Sequence, residues 1–300
     1  QIITFIYTVF FISCYIGQDD NNLVLNSSFE SIEGKLKKLS QINFASDWQS
    51  PTALNADLFS KSIKGDISVP ENIYGKEYPK DGDNYAGILT FSYNNKKPRT
   101  YLQTKLIKSL TSGLDYCINV HISLADLSRY AIDNIGIHFS ETPLSLDKKG
   151  DIIFSDKSEL DKVLKDEENK IFKSRYKWEK ICGIYQADGK EKYITIGNFY
   201  NNKDTKYEKL LKPKDLTGVQ LTEAYYYVDK IEVSLIDDPS SCNCNNDGRK
   251  KRESIVYHLE VDIDESLPLD MKLRKHSIYF DVENYTLDPM FDDKLNNLVK

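Results

Sequence analysis

Residues 114–124 read LDYCINVHISL, and this alternation constrains the fold more than any other stretch of the chain. Tyr116, Ile118, Val120, Ile122 and Leu124 fall on one side of an extended backbone; Asp115, Cys117, Asn119, His121 and Ser123 fall on the other. A period of two is the signature of a strand with one buried face, as in antiparallel sheets. Weaker forms of the pattern predict strands over residues 101–107, 132–139, 176–185, 193–199 and 225–235. The 20 Tyr and 13 Phe among 300 residues are an aromatic load that strands favour. One short helix is expected where Ser155 or Ser158 caps a stretch carrying Leu160, Val163 and Leu164. Many antiparallel strands with long connections predict a mainly β chain, a jelly-roll β-sandwich over residues 18–236.

The flanks read differently. Residues 2–16 carry no charge and give way abruptly to polar residues 18–22. Their length suits the apolar core of a signal peptide, spanning residues 1–17, and falls short of the ~20 residues a bilayer-spanning helix needs. The expected destination is the periplasm or outer membrane. The stretch FISC ending at Cys14 is a poor lipoprotein acylation box that competes with plain cleavage near Gly17 or Gln18. Residues 237–254, DDPSSCNCNNDGRKKRES, hold turn formers and charges without apolar period, and so read as a linker. Past it, residues 278–282 alternate like a strand. Asp288 then offers an N-cap, Pro289 suits the first helical position, and Phe291, Leu295, Leu298 and Val299 recur at helical spacing. Residues 255–300 are therefore expected to open an α/β domain.

Net charge of −6 with a single basic run at residues 249–252 argues against a nucleic-acid partner. Cys242-Asn-Cys244 alone is a weak metal signal, because a structural zinc site wants four ligands; a disulfide within or between chains is the competing reading. Cys117 and Cys182 can pair with each other or remain small buried residues. The four histidines show no metal-pair spacing, although His121 and His138 sit on neighbouring predicted strands. No nucleophile elbow, phosphate loop or zinc-protease motif appears, so no enzyme is expected.

Strand parity turns two carboxylates toward apolar neighbours: Asp229 beside Tyr227, Ile231 and Val233, and Asp133 beside Ile135, Ile137 and Phe139. Each needs a partner, either loop amides or a hard cation such as calcium. For ligand binding, aromatics that stack on pyranose rings and nearby polar groups point to Trp48, Tyr74, Tyr85, Tyr93, Arg129, Tyr130 and Asp133. For Arg129 the competing role is a clamp on a loop carbonyl or carboxylate.

The opening NLVLNSSFE, residues 22–30, and the closing YYVDKIEV, residues 226–233, resemble the first and last strands of carbohydrate-binding-module jelly rolls, the galactose-binding-like domains. In those modules a structural calcium commonly ties the two strands, and the resemblance implies Glu30 and Asp229 as its ligands. The tail IYFDVENYTLDP resembles the start of an OmpA-like domain. Residues 123–141, together with WQSPT from Trp48, NYAG from Asn84 and YITIGN from Tyr193, are similar to envelope proteins in which a jelly roll precedes that domain. The resemblance implies a full-length protein anchored to peptidoglycan at the outer membrane, its jelly roll holding a glycan or envelope partner. The residues that would grip peptidoglycan belong to later elements. The alternative is a secreted, calcium-stabilised glycan-binding module attached to a different α/β domain.

Overall fold

The computed structural model describes residues 21–244, apart from Glu167 and Asp215. The expected signal peptide, Cys14, the basic run and the α/β unit lie outside the described residues. In chain order the strands are β1 (Trp48–Gln49), β2 (Asp57–Ser60), β3 (Glu71–Asn72), β4 (Gly75–Lys76), β5 (Asn84–Ser92), β6 (Leu102–Lys105) and β7 (Asp115–Leu124). There follow β8 (Tyr130–Ile132), β9 (Gly136–Ser140), β10 (Val163–Lys165), β11 (Glu179–Gln186), β12 (Tyr193–Gly197), β13 (Tyr207–Lys209) and β14 (Glu223–Ile236).

Ten of these strands build two five-stranded antiparallel sheets, ordered β1-β6-β12-β9-β10 and β11-β7-β14-β5-β2. The chain passes between the sheets at most connections, the jelly-roll habit. One core lies between them: Leu102, Ile137, Phe139, Ile194 and Ile196 from the first sheet meet Tyr116, Ile118, Val120, Ile122, Ile181 and Val233 from the second. The alternation that predicted β7 is what buries it, since its apolar set faces this core. β5 has no such alternation because it lies between β14 and β2 and is buried on both faces.

Two expectations are corrected. The strand predicted over residues 132–139 is broken at Asp133 and Asn134, so β8 leaves to pair with β13 while β9 enters the first sheet. The predicted helix shrinks to α1 (Lys157–Leu160), capped by Asp156, whose carboxylate accepts from the Ser158 amide at 3.0 Å. Val163 and Leu164 leave it and extend the first sheet as β10, beside β9.

Two disulfides close the domain, Cys117–Cys242 and Cys182–Cys244. Cys117 on β7 lies opposite Ile184, and Cys182 on β11 lies opposite Asn119. The two cysteines are thus diagonal neighbours on the face turned from the core. Neither pairs with the other: each captures one cysteine of the segment that follows β14. His121 and His138 are on different sheets and do not meet.

Candidate functional site

Phe91, near the end of β5, is buried, and two rings rest against it: Tyr130 at 5.6 Å between centroids and Tyr207 at 5.1 Å. The pairing of β8 with β13 brings those rings together, because Tyr207 lies opposite Ile132 and Lys209 opposite Tyr130. Tyr93 enters from the 3₁₀ turn Tyr93–Asn95 that ends β5. It stacks on Tyr130 with centroids 5.5 Å apart and planes 8° apart, while Tyr207 stands at 90° to Tyr130. Tyr130 is the floor, 6 % exposed; Tyr93 and Tyr207, 42 % and 46 % exposed, are the walls. An exposed aromatic is unremarkable alone, but three in mutual contact around one concavity form a stacking surface.

The concavity measures about 380 Å³, and Lys96, Arg129, Lys209 and Thr222 complete its lining. Main-chain bonds fix Arg129: its amide donates to Glu223 O at 3.2 Å and its carbonyl accepts from Leu210 N at 2.7 Å. Among the described residues, the side chains of Lys96, Arg129 and Lys209 form no hydrogen bond or ion pair. Glu223, which follows Thr222 in the chain, is buried and already engaged by Lys97 at 3.2 Å and by the Thr222 hydroxyl at 2.8 Å. The cleft therefore combines aromatic walls with three uncommitted cations.

Of the residues singled out from sequence, Arg129, Tyr130 and Tyr93 come together here. The clamp role considered for Arg129 falls instead to Arg175, which donates to Ser128 O at 2.7 Å and Leu211 O at 3.0 Å. Trp48 lies in the core: it is buried against Phe29 at 5.0 Å, and its indole N–H donates to Asn26 O at 3.0 Å. Tyr85 is likewise core, its hydroxyl donating to Glu77 O at 3.2 Å and accepting from Asn72 Nδ2 at 3.0 Å. Tyr74 stacks on the buried Tyr225 at 4.0 Å. Asp133 is buried and accepts the Lys206 amide at 3.0 Å, so it holds a loop. Sequence reading missed Tyr207, Lys96 and Lys209.

Glu30 and Asp229 do converge, on the loop of residues 80–84. Asp229, fully buried, accepts from the amides of Lys80 (2.7 Å), Asp81 (3.0 Å) and Lys230 (2.7 Å). Glu30 accepts from the amides of Asp83 and Asn84, 2.9 Å each, and from Asn84 Nδ2 at 3.1 Å. Gly82, at φ +66°, crosses so closely that a Cβ there would lie 2.3 Å from Glu30 Oε1. Desolvation raises the pKa of both carboxyls, that of Asp229 strongly. As folded, the pair does not fit calcium: amide hydrogens, which repel a cation, face both carboxylates. Among the described residues the one group of three His, Cys, Asp or Glu ligands within reach of one another is Cys117, Cys182 and Cys242, all in disulfides. The first segment is tied to the last strand by other means, with Asn22 donating to Ile231 O and accepting from Val233 N, 3.0 Å each.

No protein-family model matches the chain, and no curated protein does. The described fold is a jelly-roll β-sandwich. Solved structures that align with it include the CBM22-1 xylan-binding domain of Xyn10C from Paenibacillus barcinonensis, at 11 % identity over 71 % of this chain and 93 % of that one, with a TM-score of 0.35. The CBM22-1–GH10 modules of xylanase Xyn10B from Clostridium thermocellum align at 12 % identity over 72 % of this chain and 29 % of that one, also at 0.35. A cleaved adhesin domain of Lys-gingipain from Porphyromonas gingivalis aligns at 12 % identity over 69 % and 95 %, at 0.33. At such scores the likeness carries no argument about ligand or site.

Proposed function

We propose that residues 21–244 are a glycan-binding module and that the Tyr93–Tyr130–Tyr207 cleft is where the sugar sits. The observation that carries this reading is the pair of exposed tyrosines at right angles around a buried third. Pyranose rings present apolar C–H faces that stack on such rings, while the cations and Thr222 supply hydrogen-bond donors for hydroxyls. A volume of about 380 Å³ admits a short stretch of saccharide.

A binding role suits the cleft better than glycoside hydrolysis. That reaction needs two carboxyl groups flanking the bond, and no Asp or Glu lines this cleft. Affinity electrophoresis through gels cast with individual polysaccharides tests the reading. The wild-type domain should be retarded by at least one gel, and Tyr93→Ala and Tyr207→Ala should each restore mobility while keeping the wild-type circular dichroism. Retardation that persists in a Tyr93→Ala/Tyr207→Ala double variant would place the sugar elsewhere.

A further inference from the structure

The lining of the cleft says more about its ligand than that it is a sugar. Lys96, Arg129 and Lys209 surround the tyrosine floor, the lining contains no carboxylate, and none of the three has a side-chain partner among the described residues. The chain as a whole carries a net charge of −6, so the cleft is a local concentration of positive charge. Some surface lysines elsewhere on this domain do find acidic partners: Lys61 with Asp83 at 2.7 Å, Lys162 with Glu159 at 2.7 Å, Lys173 with Glu208 at 2.9 Å. Lys97, next to Lys96 in the chain, is paired with Glu223 at 3.2 Å, and neither belongs to the lining. A neutral glycan needs stacking and hydroxyl donors, which would not require three positive charges left open.

We infer that the glycan is anionic, its carboxylate or sulfate groups lying against Arg129 with Lys96 and Lys209 at the flanks while its rings stack on Tyr93 and Tyr207. This rests on the glycan-binding reading and narrows it. Arg129 is the central contact because its backbone is held between Glu223 and Leu210, and a guanidinium can meet a carboxylate or sulfate with two parallel donors. A single-stranded nucleic acid would also find rings and cations here. The small volume and the acidic remainder of the chain favour a sugar acid.

The test compares probes that differ only in charge: oligogalacturonate against its methyl ester for carboxylate, and dextran sulfate against dextran for sulfate. Calorimetric titration of the wild-type domain should show at least one acidic probe binding about tenfold tighter than its neutral counterpart, the sum of three exposed ion pairs. Added salt should narrow the gap. The Lys96→Gln/Arg129→Gln/Lys209→Gln variant should lose that difference, the acidic probe falling to the affinity of its neutral counterpart, whatever the neutral affinity then is. Equal affinity for the charged and neutral members of both pairs overturns the inference and leaves the glycan reading standing. So does failure of both acidic probes in a domain that a neutral polysaccharide retards. Tighter capture of a dodecameric single-stranded oligonucleotide than of either acidic probe also overturns it. Loss of all polysaccharide binding would instead strike the glycan reading itself.

Discussion

Removing the disulfides should cost this domain a large part of its stability. Cys117–Cys242 spans 125 residues and Cys182–Cys244 spans 62. In the loop-closure model each alone restrains the unfolded chain by about 5 and about 4 kcal/mol respectively, as ceilings. The second bond adds less once the first has formed, because both end in the same three residues and the first already shortens its loop. Deleting it in the Cys182→Ser/Cys244→Ser variant is therefore expected to cost about 3 kcal/mol, or about 6–12 °C in Tm for a domain of this size. The assay is guanidinium unfolding followed by tryptophan fluorescence, with and without a thiol reductant, on protein whose free thiols have been counted by alkylation and mass. In the wild-type protein Cys117, Cys182, Cys242 and Cys244 should resist alkylation until reduced. Four reactive thiols in the native state, or a midpoint that reductant does not move, would refute the pairing and with it the docking of the segment after β14.

Three further outcomes follow from the packing. Asp57 is buried, accepts the Tyr225 hydroxyl at 2.5 Å, and burial raises its pKa to about 6. Because the folded pKa lies above the unfolded one, its contribution is present below about pH 4 and is lost as pH rises through about 6; relative to Asp57→Asn, the wild type should lose up to about 3 kcal/mol across that window, and a flat difference by urea titration would contradict this. Asp229→Ala strands three amides, so it should cost about 3–5 kcal/mol, whereas a chelator should leave the wild-type Tm unchanged; a chelator-induced fall would restore a cation to this place. Trp48→Ala should cost about 3–5 kcal/mol through its cavity without changing the affinity of the surviving folded protein for polysaccharide, and selective loss of binding would return Trp48 to the site.

The sequence disclosed most clearly the strands whose apolar and polar residues alternate. β7 and the outer half of β14 alternate because the face turned from the core is polar and partly open, while β5, buried at all but one position, leaves no period to read. Strand parity correctly implied that Asp229 must be satisfied. It could not say by what, and the answer, the amides of a loop nearly 150 residues away in the chain, is a tertiary fact. The same limit explains the site. Residue type marks Trp48 and Tyr85 as candidates as readily as Tyr93, and only burial separates core rings from exposed ones. Tyr207 and Lys209 sit on a three-residue strand too short to show a pattern, and their place beside Tyr130 is set by the break at Asp133, which let β8 leave the sheet. The disulfide partners were equally hidden, since these four cysteines admit several pairings and only the folded chain shows which cysteine after β14 each strand cysteine meets. The envelope anchor implied by the resemblance of residues 278–300 lies outside the described residues.

The most direct measurement of the central claim is an NMR titration of ring-labelled tyrosine in the wild-type domain, using a short oligosaccharide of a polysaccharide that retards it. The Tyr93, Tyr130 and Tyr207 signals should move together and saturate at one affinity, while the Trp48 indole signal stays fixed in the core. Saturable shifts confined to rings outside this cleft, with Tyr93 and Tyr207 unmoved, would contradict the account.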